Sequence, residues 1–267
     1  FENVARVTET ARAIGYTSIS HDLVFGLPHQ NLDTMRHTIA RTAELSPDRL
    51  AFYSYAHVPW IKGNGQRGFN DEDLPSGPEK RALYELGKEM FDELGYVEVG
   101  MDHFARPNDS LYQAMNENRL HRNFMGYTET NTRLMLSLGV SSISDSWYAF
   151  AQNEKVLEDY LARINSGQLP LMRGHLLTAE DLIIRQHILN IMCRMHTDGS
   201  DTAMQLAQLP QAVELLKPMQ DDGLLEILPN GLKVTEQGRP FVRNIAMAFD
   251  VRLWAKQPET RLFSMTI

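Results

Sequence analysis

The first hundred residues repeat one unit: an apolar run of strand length, a breaker, then an apolar face at helical spacing. Val4, Val7, Ala11 and Ile14 recur at that spacing and end at Gly15, so an amphipathic helix opens the chain. Ser18 to Gly26 (SISHDLVFG) predicts a strand, closed by Leu27-Pro28 because proline has no N–H to give a central strand. Asn31 then caps a helix with Leu32, Met35, Ile39, Ala43 and Leu45 on one face, stopped by Ser46-Pro47. Arg49 to Tyr55 is the next strand. Pro78, Leu83, Leu86, Met90 and Leu94 mark the next helix, and Tyr96 to Met101 the strand after it. This alternation predicts an α/β fold with a parallel sheet and right-handed crossovers. Ligands in such folds gather at the carboxyl ends of the strands.

Beyond Pro107 the pattern loosens. Leu111 and Met115 fit a short helix, and Leu134 to Ser144 is an apolar run suited to a last strand, with Gly139 marking a bulge or a ligand's close approach. Val156, Leu157, Tyr160, Leu161 and Ile164 form another helical face before Ser166-Gly167. The rhythm changes near Leu169 to Gly174. From Thr178, with Asp181 as a capping-box partner, an apolar helix runs to about Met195, and Pro210 to Asp222 makes another. Gly223 to Leu228 and Leu232 to Thr235, joined through Pro229-Asn230-Gly231, predict a hairpin. Glu236 to about Lys256 is a final helix. Helices followed by a two-stranded wing predict a mostly helical, winged-helix-like domain over 169–267, after a first domain over 1–168.

Candidate chemistry sits where strands should end. Asp22 interrupts an apolar strand, and a carboxylate there needs a partner or a ligand. Tyr53, Tyr55 and His57 alternate along the next strand and its exit, sharing a face that suits a planar ligand or a row of core aromatics. A glycine-spaced loop through Gly63, Gly65 and Gly68 follows. In Gly100-Met-Asp-His-Phe-Ala-Arg-Pro107 an apolar run ends abruptly in an acid, a histidine and an arginine. His103 and Arg106, with His121 and Arg122, make a cationic set suited to carboxylates. No tight histidine spacing supports a metal site. The single cysteine, Cys193, excludes a disulfide framework and a self-contained cysteine-ligated cluster.

A net charge of −8 argues against a broad nucleic-acid face. The candidate recognition helix from Pro210 carries only Lys217 against Glu214, Asp221 and Asp222, too few cations for phosphate binding. No run approaches the roughly 18 to 20 apolar residues of a membrane span, so the expectation is a cytoplasmic protein without membrane or nucleic-acid partners. The chain starts at Phe1 inside a helical pattern and reads as a piece of something longer.

These residues resemble one family, the oxygen-independent coproporphyrinogen III oxidases, radical S-adenosylmethionine enzymes of haem biosynthesis. The matching runs are Asp22-Leu-Val-Phe-Gly-Leu-Pro28, Pro47-Asp-Arg-Leu50, Tyr55-Ala-His57, Gly100 to Pro107, Leu120-His-Arg-Asn-Phe124 with Gly126-Tyr-Thr128, and Val242-Arg-Asn-Ile245. The resemblance implies the later βα units of a partial (β/α)6 barrel and a C-terminal domain that covers the active site. It implies oxidative decarboxylation of two propionates of coproporphyrinogen III to vinyl groups, giving protoporphyrinogen IX, with an electron donor and an electron acceptor as further partners. It also implies a [4Fe-4S] cluster and two S-adenosylmethionine molecules per active site, with Asp22 and Ala56 contacting one molecule and Ile143 the other. The family's three-cysteine motif and glycine-rich stretch are not in this sequence, so no cluster and no turnover are expected of this chain alone. His57, His103 and Arg106 are placed near substrate carboxylates by their charge, and Tyr55 joins them as a substrate-binding candidate. A haem-trafficking paralogue shares the Asp-Leu-x-x-Gly-Leu-Pro run but typically has Asn before Phe-Ala; His103-Phe104-Ala105 favours the oxidase. A winged-helix nucleic-acid module is the third alternative.

Overall fold

The computed structural model describes residues 1–58, 66 and 68–256. They divide into two compact units, Phe1–Asn116 and Glu117–Trp254.

The first unit contains α1 (Glu2–Ala13), β1 (Ser20–Phe25), α2 (Leu32–Leu45), β2 (Arg49–Ser54), a 3-10 turn (Asp71–Asp73), α3 (Gly77–Glu93), β3 (Val97–Val99), β4 (His103–Ala105) and α4 (Ser110–Asn116). Asn31 caps α2 as expected, its side chain accepting from the N–H groups of Asp33 and Thr34. β1 and β2 pair in parallel, the direct product of the strand, helix, strand rhythm. The sheet order is β1-β2-β4-β3, and β4 runs antiparallel to both its neighbours. This corrects the expectation of an all-parallel sheet with Gly100 to Pro107 as a loop. Gly100 and Asp102 adopt left-handed backbone (φ 63° and 64°), so the chain reverses directly after β3 and inserts His103–Ala105 as a strand.

One face of this sheet is covered. Phe25, Leu50, Phe52 and Phe104 pack there with Met35 and Ile39 of α2 and Leu83, Tyr84 and Phe91 of α3. Phe25 and Phe52 approach to 4.6 Å between ring centroids, and Phe91 and Phe104 to 4.8 Å. By the two-residue period of a strand, Ser20, Asp22, Val24, Ala51, Tyr53 and His103 share the opposite face.

The second unit contains β5 (His121–Asn123), β6 (Gly126–Thr128), β7 (Leu134–Met135), β8 (Ile143–Ser146), β9 (Ala149–Asn153), α5 (Leu157–Asn165), β10 (Leu171–Leu176), α6 (Ala179–Arg194) and β11 (His196–Asp198). After a 3-10 turn (Thr202–Met204) come α7 (Leu209–Asp221), β12 (Leu225–Leu228), β13 (Gly231–Val234), a second 3-10 turn (Arg239–Phe241), α8 (Val242–Met247) and α9 (Val251–Lys256). Thr178 and Asp181 form the expected capping box on α6. Asn230-Gly231 turns the expected hairpin, and β11 adds a third strand in the order β11-β13-β12.

Two expectations change here. Leu134 to Ser144 is not a last strand of the first sheet; its two ends become β7 and β8 of a separate antiparallel sheet, β10-β9-β8-β7. Gly139 and Ser141 take left-handed backbone between them, and the Asn153 side chain holds the Gly139 carbonyl at 2.9 Å. The compact units divide at 116/117, and β10 is hydrogen-bonded to β9 across 168/169. The final helix is three pieces: Pro240 fits only a first helical turn, and Asp250 restarts the chain by accepting from Leu253 N at 2.9 Å.

Candidate active site

Register across the first sheet brings two of the expected residues into one row. Asp22 pairs with Ala51, and Ala51 with His103. Two interstrand spacings put Asp22 and His103 roughly 10 Å apart, with only a methyl group between them. Asp22 is exposed on this face and makes no hydrogen bond or ion pair among the described residues. His103 Nδ1 lies 3.1 Å from the Met101 carbonyl, which fixes its ring, and Tyr53 meets that ring edge-on at 5.8 Å. The face therefore offers a negative acceptor and an imidazole flanking a shallow, small-residue floor.

The carboxyl ends of β1 and β2 adjoin this face. Tyr55 N donates to the Phe25 carbonyl at 2.8 Å, which ties the two ends together. The rings of Tyr55 and His57 stack 6.3 Å apart, with Phe69 5.5 Å from His57. His57 Nε2 is 3.0 Å from Asp71 Oδ1, while its Nδ1 is buried with no hydrogen-bond partner among the described residues. Ala56 is exposed, and Gln66 staples its segment by donating to the Ala56 carbonyl and accepting from Val58 N. Gly63 and Gly65 of the glycine-spaced loop lie outside the described residues.

Sequence reasoning missed Lys80. Its ammonium donates to the Tyr55 carbonyl at 3.1 Å, and burial lowers its pKa. Gly26, at φ 83°, leaves room for it: a Cβ there would lie 2.8 Å from Lys80 Cε. The available signal was a cation in the first turn of α3, where the helix dipole disfavours one.

Arg106 does not join Tyr55 and His57. β4 runs antiparallel to β2, so the three residues from His103 to Arg106 carry the chain toward the amino end of β2. There the Arg106 guanidinium donates to Ser46 Oγ (3.0 Å) and the Pro47 carbonyl (3.3 Å) and lies 4.7 Å over the Tyr96 ring. His121, Arg122 and Ile143 belong to the second unit. Burial lowers the His121 pKa, and Ile143 sits half-exposed on β8, its carbonyl accepting from Ser137 Oγ at 2.6 Å. Among the described residues no group of three or more His, Cys, Asp or Glu side chains is arranged to hold a metal. Cys193 is buried, and burial pushes its thiol up to about 12.

No family model matches the sequence. Individual relatives do. The oxygen-independent coproporphyrinogen III oxidase of Escherichia coli (strain K12) is 39% identical over 251 residues, covering 92% of this chain and 55% of that protein. The proteins of that name from Synechocystis and Helicobacter pylori are 36% and 35% identical, over 98% and 95% of this chain and 58% and 56% of their own lengths. The solved structure of the Escherichia coli enzyme, described as a radical SAM enzyme, superposes with a TM-score of 0.87 at 39% identity, covering 94% of this chain and 59% of that one. The chain thus spans between half and two-thirds of the relatives it matches. Sequence and fold together make it, along more than nine-tenths of its length, a homologue of the oxygen-independent coproporphyrinogen III oxidases.

Proposed function

We propose that these residues form the later part of an oxygen-independent coproporphyrinogen III oxidase, which decarboxylates two propionates of coproporphyrinogen III to vinyl groups and yields protoporphyrinogen IX. The observation that carries this reading is the likeness to proteins of that name along nearly the whole chain. The parallel β1-α2-β2 unit is read as part of a partial (β/α)6 barrel. The α6, β11, α7, β12, β13 succession is read as winged-helix-like. Lys217, the one cation of α7, is paired with Glu214 at 2.6 Å. No helix among the described residues is long and apolar enough to cross a membrane, and a cytoplasmic setting with an electron donor and an electron acceptor as partners completes the reading.

A [4Fe-4S] cluster does not fit this chain. Cluster ligation needs several thiolates, and the sequence holds one cysteine, buried and with its thiol strongly protonated. The thiolates must come from residues other than these, so the chain by itself is expected to be inactive. S-adenosylmethionine does fit the open sheet face. Asp22 is an exposed acceptor whose side chain has no hydrogen-bond or ion-pair partner among the described residues, suited to the hydroxyl and ammonium donors of that molecule, and Ala56 is small enough for close approach. When bound, that cofactor supplies hydrogen-atom abstraction from the substrate. Ile143 belongs to the second unit, and the resemblance assigns it to the other S-adenosylmethionine molecule. Tyr55 and His57 present a stacked, flat surface to the planar pyrrole rings, and His103 presents an imidazole to a propionate. Arg106, engaged at the other end of β2, is left out of the substrate set.

The test is a chimaera in which this chain replaces the matching segment of the Escherichia coli enzyme. Anaerobic conversion of coproporphyrinogen III to protoporphyrinogen IX is expected, and Asp22→Ala in the chimaera should abolish it. A chimaera that folds, loads its cluster and cleaves S-adenosylmethionine, yet binds haem and releases no carbon dioxide, would overturn the reading in favour of the trafficking paralogue.

A further inference from the structure

We infer that the second unit holds a carboxylate-binding site anchored by Arg122. A cavity of about 530 Å³ opens within this unit. Three arginines border it. Arg185 is held by Asp145 through two contacts at 3.0 and 2.9 Å, and Arg252 by Asp181 at 2.9 and 2.8 Å. Both cations are neutralised: Arg252 forks two nitrogens onto Asp181, and Arg185 shares one nitrogen, Nη2, between the two oxygens of Asp145.

Arg122 is different. It makes no ion pair or hydrogen bond among the described residues, and its Nε is buried without a partner. Its guanidinium lies 5.5 Å from the centroid of the Tyr127 ring, which orients the planar head without neutralising it. An incoming anion would supply the guanidinium with the counter-charge it lacks.

The walls decide which anion. Phe124 and Phe150 meet edge-on at 5.3 Å, and Ile184 and Ile188 line the same space. Phe124 is 55% exposed and, with Phe150, leaves apolar ring surface open on the cavity. A small inorganic anion would leave this apolar surface wet. An amphipathic organic carboxylate satisfies both halves: its charged end forks onto Arg122, and its apolar body covers Phe124 and Phe150. Extending this ligand to a propionate arm of a tetrapyrrole rests on the function proposed above.

The experiment is calorimetric titration of the 267-residue chain with sodium octanoate and, separately, with coproporphyrin III, the stable oxidised form of the proposed substrate. Arg122→Gln should weaken both ligands about tenfold, the size of one lost charge-assisted interaction, and leave octylamine binding unchanged. Arg122→Lys should fall between, since it keeps the charge and loses the planar fork. Phe124→Ala, at an exposed position, should weaken octanoate while leaving the thermal midpoint in place, which guards against a folding artefact. Octanoate and coproporphyrin III affinities unmoved by Arg122→Gln would overturn the site while leaving the proposed function standing. Arg122-dependent octanoate binding with no coproporphyrin III binding would keep the site and overturn its tetrapyrrole assignment.

Discussion

Gly87 lies in the buried middle of α3, and replacing it with alanine tests how tightly the sheet carrying the candidate site is backed. An added Cβ would lie within 2.6 Å of Phe52 Cζ and closer still to Cε1. Carbon atoms rest at about 3.5 to 4.0 Å, so the ring must move by roughly 1 Å. Phe52 has no exposed surface, and Phe25 (4.6 Å), Phe91 (5.2 Å) and Tyr84 (6.4 Å) surround it. Overpacking of this kind costs about 1 to 3 kcal/mol. Against it stands the gain of about 1 kcal/mol from exchanging glycine for alanine in a helix. The net expectation for Gly87→Ala is therefore a loss of up to about 2 kcal/mol. In a Phe52→Leu background the clashing ring atoms are gone, so the same substitution should reverse sign and stabilise by up to about 1 kcal/mol. Hydrogen exchange of the β1 and β2 amides reads the first unit by itself. Equal gains from Gly87→Ala in both backgrounds would refute the reasoning, because they would mean that the ring yields freely.

Three further predictions follow from the same geometry. His21, His121 and His187 all have pKa values lowered from 6.5, in each case chiefly because burial penalises the cation. The unfolded chain then takes up protons first, so stability should be full above pH 6.5, fall as the pH drops through it, and level off below the folded values; a thermal midpoint unchanged between pH 7.5 and 5 would contradict this. Asp145→Ala should destabilise in urea unfolding by up to about 3 kcal/mol, because it leaves the half-buried Arg185 without its carboxylate, and adding Arg185→Met should recover most of the loss. The Cys193 thiol, pushed up to about 12 and only 8% exposed, should resist iodoacetamide at pH 8 in native protein and react on addition of urea; rapid native labelling would show that the interior opens readily.

Local chemistry carried much of this chain's structure. The helix faces ending at Gly15 and Leu45, the Asn31 and Thr178 caps and the Asn230-Gly231 hairpin depend on residues within a turn or two of one another, so periodicity and turn preference suffice to find them. Asp22 was legible as a candidate for a similar reason: a carboxylate in an apolar strand stands out from its sequence neighbours, and the fold leaves it exposed on the open sheet face. Three other properties were set by distant partners. Whether Gly100 to Pro107 left the sheet or folded back into it turned on two left-handed residues and on the unpaired edges of β2 and β3. That reversal put His103 in a row with Asp22 and sent Arg106, three residues later, to the other end of β2; sequence neighbours became spatial strangers because β4 is antiparallel. Lys80 beside the Tyr55 carbonyl and Arg122 without a counter-ion could be seen only once the fold had assigned carboxylates to other cations. Sequence alone determined which segments form elements and which side chains conflict with burial. The tertiary structure decided which charges are already neutralised, since pairing is a matter of distance across the fold and a chain read in one dimension does not contain it.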